Sequence, residues 1–198
     1  MQTKSIAIII MFATLAIALN PIRIPTLISG FNHRVYEIPI VIAFFLFGFK
    51  IGFSVQILHL IAQISLFPGS KGGLGYITGL LAVLVMVIGI LVAKSIINRD
   101  VFRKNRWAGP KAIILFTSLG TLFRGTISPI LDYIFLFNLF VPLTIGSLSQ
   151  DQILALMPGV FLFNIVVPLY TIPISYFIAK RIKRNLNMLD INEKSLLL

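Results

Sequence analysis

Residues 74–93, LGYITGLLAVLVMVIGILVA, contain no charged side chain over twenty consecutive positions. Coiled as an α-helix at 1.5 Å per residue, such a run is about 30 Å long, the thickness of the hydrocarbon layer of a bilayer. A helix is the expected form, because hydrocarbon offers no partner for free backbone N–H and C=O groups. The rest of the chain agrees with this reading. Of its 198 residues 58% are hydrophobic and 12% are charged, whereas a soluble domain carries about 25% charged residues. The sequence is that of an integral membrane protein.

Working outward from 74–93, the same test finds further spans. Residues 5–19 form an apolar run that stops at Asn20-Pro21, where proline removes a backbone donor and disfavours helix at the preceding residue. Lys4 with Ala16-Ile17-Ala18 also has the layout of a cleaved signal peptide, but the run serves equally as a first span. From 38 to 67 the only acidic or basic side chain apart from His59 is Lys50, set between Gly48 and Gly52. That stretch reads as two rather short spans joined by a tight turn at 47–52. Residues 112–150 hold Arg124 and Asp132 as their only charges, with Pro129 and Pro142, and read as one span followed by a loop or a partly embedded segment. The last span, 153–179, contains Pro158, Pro168 and Pro173 and ends at the basic run Lys180 to Arg184.

The formal net charge of +11 would suggest nucleic acid in a soluble protein, but its distribution explains it without one. Cytoplasmic loops carry the excess of lysine and arginine. With six spans and both termini in the cytoplasm, the inner segments hold thirteen basic residues and the outer loops hold three, Arg23, Arg34 and Lys71. The expected fold is therefore all-α, with six transmembrane helices in a single domain over 1–184 and a short polar tail over 185–198. No internal repeat supports an inverted-repeat transporter. The chain has no cysteine, two histidines and six acids, too little for a metal cluster. No span holds a paired-carboxylate, His-acid or nucleophile–base arrangement, so an enzyme is not expected, nor is a cofactor. The Lys71-Gly72-Gly73 stretch lacks the ending of a phosphate loop.

Four segments together resemble the substrate-binding S components of energy-coupling factor (ECF) vitamin transporters, most closely the riboflavin-binding branch. Tyr36-Glu37-Ile38-Pro39 is similar to that branch's Ser-Asp-Ile-Pro, and Gly48-Phe49-Lys50-Ile51-Gly52 is similar to a Gly-Pro-x-x-Gly turn without its proline. Gly120-Thr121-Leu122-Phe123-Arg124-Gly125-Thr126 followed by Asp132-Tyr133 is similar to a Gly-Thr-x-Phe-Arg-Thr run with a downstream Asn-Tyr. Phe163-Asn164 is similar to a Phe-Asn that precedes a lysine by three residues. The resemblance covers nearly the whole chain. It implies a plasma-membrane protein that captures a vitamin-sized ligand, riboflavin first, under its outer loops. It also implies docking on a coupling membrane subunit energised by two ATPases. Two positions depart from the pattern: Asp132 stands where the family has asparagine, and Val167 where it has lysine. An ionised aspartate accepts but does not donate, and valine removes a cationic donor.

Weighed singly, Asp132 is the sharpest site candidate, because an ionisable group inside a span needs a partner or an aqueous cavity; at the membrane interface it would merely end a helix. Asn164 either glues helices together or touches ligand, and Asn138 either lines the same cavity or begins the outer loop. Glu37 and Tyr36 either close the pocket from the first loop or mark a solvated span start. Arg124, about 12 Å from Asp132 along a helix, is too far to pair with it directly and is expected to bond oxygens of a neighbouring helix. Gln56, His59 and Gln63 share one helical face, read as a packing face. Trp107, beside Arg106, is read as an interfacial anchor. Ala7, Met11, Thr14 and Ala18 form a stripe of mostly small residues, which packs within the chain or presents a face to the coupling subunit. A solitary ion-coupled transporter, with Asp132 as its proton site, is the alternative function.

Overall fold

The computed structural model describes residues 3–25, 32–67, 74–97, 110–134 and 149–186. Helix α1 spans Thr3–Leu19. Strands β1 (Arg23–Pro25) and β2 (Asn32–Arg34) follow, then α2 (Glu37–Leu66), α3 (Leu74–Ile97), α4 (Pro110–Leu131) and α5 (Gln150–Leu186). Helices α2 to α5 are long and apolar enough to cross a membrane, and α1 is a shorter apolar helix. The helical class expected from the sequence holds for all of these. The first loop adds a two-stranded antiparallel ribbon, with Arg23 opposite Arg34 and Pro25 opposite Asn32.

Helix α2 is not one rod. Gly48 has φ 77° and ψ −176°, a conformation that a side chain would make costly, and the chain reverses there. Along a continuous helix residues eight apart are separated by about 12 Å. A Cβ built on Gly52 would instead lie 2.4 Å from the Phe44 ring and 2.9 Å from the Phe44 Cα. Farther from the turn, the rings of Tyr36 and His59 are 4.5 Å apart. The two contacts share one antiparallel register, so 37–47 and 49–66 are the arms of a helical hairpin, as the glycines flanking Lys50 suggested.

Helix α1 lays Ile9, Phe12, Ala13 and Ala16 on α2. Its end is tied to the second arm of α2 where the Gln63 amide donates to Asn20 Oδ1 at 2.8 Å, both side chains buried. Helices α3 and α4 approach to backbone contact: a Cβ on Gly89 would lie 2.6 Å from the Leu119 carbonyl oxygen. Small residues permit such approach in a bilayer, where packing rather than water exclusion drives association. Phe45, Phe116 and Tyr176 meet at centroid distances of 5.7–6.0 Å and lock α2, α4 and α5 together. The outer surface carries Ile10, Ile114, Leu122, Ile130, Leu162 and Phe177, each more than half exposed. Such a coat of large apolar side chains suits lipid and not water.

Helix α5 has 37 residues, about 55 Å, and outruns the hydrocarbon layer. Its basic end from Lys180 to Arg184 continues as helix to Leu186. The expected tail beyond it, the basic connector with Trp107 and the loop residue Asn138 lie outside the described residues.

Candidate functional site

The polar residues buried between the helices converge on Arg124, which sits on α4 and is 1% exposed. Its guanidinium makes a two-pronged ion pair with Glu37 at the start of α2: Nη2 donates to Oε1 at 3.0 Å, and Nη1 to Oε2. Nη1 also lies 3.8 Å from the Met86 sulfur on α3, and Nε donates to Asn164 Oδ1 on α5 at 3.3 Å. One side chain therefore touches α2, α3 and α5 from α4. The planar fork of arginine suits this, since its donors diverge in fixed directions that match a carboxylate on one edge and an amide on another.

Asn164 is 2% exposed and extends the network. Its Nδ2 donates to the Val160 carbonyl at 3.0 Å and to Asp132 Oδ2 at 3.3 Å. With its oxygen on Arg124 and both amide hydrogens placed, the side chain has one allowed orientation. Turning it over would set NH₂ against the guanidinium and an oxygen against the carboxylate. Asp132 lies where α4 relaxes from α-helix into a π turn over 132–134, and it is half-buried. Single π turns recur at functional positions because they re-aim a side chain.

Asp132 and Asn164 are brought together, through one hydrogen bond. Arg124 and Asp132 are not in direct contact, as their spacing on one helix required, and Asn164 bridges the gap between them. Arg124 finds oxygens on neighbouring helices, as expected. Glu37 is no solvated span start: it is 4% exposed and committed to Arg124. Tyr36 is buried against His59 and stands beside Gly79 of α3. The Gln56–His59–Gln63 face packs inward, with all three side chains buried. Ala7, Met11, Thr14 and Ala18 lie on the exposed side of α1, opposite its packed face, so among the described residues the stripe is left uncovered. A groove of about 340 Å³ between α4 and α5, lined by Thr117, Thr121, Gly125, Phe161 and Ile165, opens on the lipid-facing side and contains none of the network residues.

The partnership of Glu37 with Arg124, across 87 positions of sequence, and the seat of Met86 beside it were not read from the sequence. The available signal was charge economy. Arg124 is a lone cation deep in an apolar run, and Glu37 is an acid at the edge of another, so each needs the other.

No family model matches the chain, and no curated protein matches it. Among solved structures, its fold is similar to that of the S component of a bacterial ECF transporter. The two share 21% sequence identity, over 96% of this chain and 100% of that one, with a TM-score of 0.70. The shared property is the fold, a multi-pass helical membrane protein.

Proposed function

We propose that this chain is the substrate-specificity subunit of an ECF-type importer of the plasma membrane. It binds a vitamin-sized solute, riboflavin or a relative first, at the outer face, and passes it inward through a coupling membrane subunit driven by two ATPases. The polypeptide crosses the bilayer six times, as α1, the two arms of α2, α3, α4 and α5. Both termini lie in the cytoplasm, the orientation that leaves the smaller share of basic residues outside. The observation that carries the reading is the buried chain Glu37–Arg124–Asn164–Asp132, set in a fold similar to that of an S component. A structural subunit would be expected to avoid intramembrane charge, which is expensive and is ordinarily retained for a task.

In this reading the residues divide their work. Asp132 and Asn138 fix the ligand, Asn164 holds Asp132 in position, Tyr36 belongs to the wall, and Glu37 holds the floor through Arg124. Ala7, Met11, Thr14 and Ala18 face the coupling subunit. The test is to purify the protein in mild detergent, denature it, and identify any released small molecule by absorbance and mass spectrometry. A second arm is uptake in cells with and without the energising module. A stoichiometric flavin with ATP-dependent uptake fits the proposal. Another vitamin keeps the transporter class and rejects riboflavin, and uptake that needs no ATPase but collapses with an uncoupler favours the ion-coupled alternative. Replacing Asp132 with alanine is expected to weaken ligand binding while the protein still purifies as a folded species.

A further inference from the structure

The buried network has an unequal charge account. Arg124 is fully matched by Glu37, both prongs of the guanidinium closing on both carboxylate oxygens. Asn164 has its carbonyl oxygen and both amide hydrogens engaged, so it has no donor left to offer. Asp132 receives one hydrogen bond, from Asn164 through Oδ2, and among the described residues it forms no ion pair. Val167, three residues along α5 from Asn164, is apolar and 1% exposed, so it offers the network no counter-charge. The segment that follows α4, 135–148, contains no charged residue. The excess negative charge and the spare acceptor capacity therefore both sit on Asp132, the half-buried terminal member of the chain.

We infer that Asp132 selects for solutes that present N–H or O–H donors or a positive charge to it, and that the site rejects carboxylates and phosphates. This inference rests on the specificity-subunit reading above and narrows it to a substrate class. An anion placed here would meet a carboxylate whose amide neighbour, Asn164, has no free donor. A protonated amine, a ring N–H or an amide would complete the lone pairs that Asn164 leaves open and offset the charge. The network fixes the sign of the recognition because Asn164 cannot turn over to accommodate an anion while Arg124 holds its oxygen.

The test is a thermal-shift and calorimetric panel on the detergent-purified full chain. Riboflavin and nicotinamide serve as neutral donors, thiamine and pyridoxamine as cations, and nicotinate, pantothenate and biotin as anions. The expected result is binding confined to the neutral and cationic members, with affinity reduced about tenfold or more in Asp132→Asn. The same ligand should be retained by Asp132→Glu. Nicotinamide against nicotinate is the sharpest pair, since the two differ only in amide against carboxylate. An anionic vitamin bound by the wild type and unaffected by Asp132→Asn would overturn the inference and leave the importer reading standing. A donor-bearing ligand bound equally well by wild type and Asp132→Asn would also overturn it. Failure of every member to bind would remove the specificity-subunit reading and this inference with it.

Discussion

Replacing Glu37 with alanine isolates what the ion pair contributes. Both prongs of Glu37 go to a guanidinium that is 1% exposed. After the change Arg124 keeps the Asn164 oxygen at 3.3 Å and the Met86 sulfur at 3.8 Å, and has no counter-charge. Removing one partner of a buried pair costs about 3–5 kcal/mol, because the survivor remains desolvated and unpaired. At 1.4 kcal/mol per tenfold, that is roughly two to three and a half orders of magnitude in the folding constant. The double variant Glu37→Ala with Arg124→Met removes both charges and keeps an unbranched apolar side chain in the space. It is expected to recover about half or more of the loss, since no orphan charge remains. The assay is SDS titration of the ligand-free protein in dodecyl maltoside micelles, followed by helicity. A Glu37→Ala cost below about 1 kcal/mol would refute the reasoning. So would a double variant whose cost equals the sum of the two single variants, because either result would mean that the charges are not each other's principal partner.

Two further outcomes follow from packing. Gly89→Val is expected to cost about 2 kcal/mol or more in the same titration, because its Cβ would lie 2.6 Å from the Leu119 carbonyl oxygen, whereas Gly75→Ala, with nothing within 4 Å, should be near neutral. Thr14→Leu, on the exposed side of α1, should leave the stability of the isolated chain within about 0.5 kcal/mol. Under the importer reading it should lower uptake in cells that carry the energising module; unchanged uptake would free that stripe from a docking role.

What the sequence yielded follows the strength of the underlying physics. The long apolar runs declare spans because hydrocarbon tolerates no alternative, and α3, α4 and α5 lie where those runs do. The reversal within α2 was legible because Lys50 between two glycines is a poor mid-membrane sequence, although nothing local identified Gly48 as the position with positive φ. The network was legible by member and not by connection. Arg124, Asp132 and Asn164 each stood out as polar groups in apolar surroundings, and helix geometry excluded a direct Arg124–Asp132 pair. That Asn164 fills the interval, and that Glu37 comes inward, depend on how α5 and α2 lie against α4. Those orientations are set by contacts such as Gly120 with Ile172 and Gly125 with Ile165, side-chain fits that have no periodic trace in sequence. The two-stranded ribbon was hidden for a related reason: three-residue strands are too short to show an alternating pattern.

The network is also graded in strength along its length, and the gradient bears on how it can act. At the Glu37 end a bidentate, charge-assisted pair is fully buried, the strongest kind of hydrogen bonding available to side chains. At the Asp132 end a single contact of 3.3 Å holds a half-buried carboxylate on a π turn. Under the importer reading, a solute arriving at Asp132 takes up the lone pairs that this one weak bond leaves open and leaves the pair beneath it intact. Four helices can thus stay fixed while the terminal carboxylate gains a partner. The prolines of α5 favour the same division. Pro168 cannot donate to the backbone carbonyl of Asn164 four residues earlier, so the helix is locally loosened beside the residue that joins the rigid part to the responsive part. Rearrangement on ligand capture is therefore expected to concentrate between Asn164 and Asp132, with the Glu37–Arg124 pair as the fixed point around which it occurs.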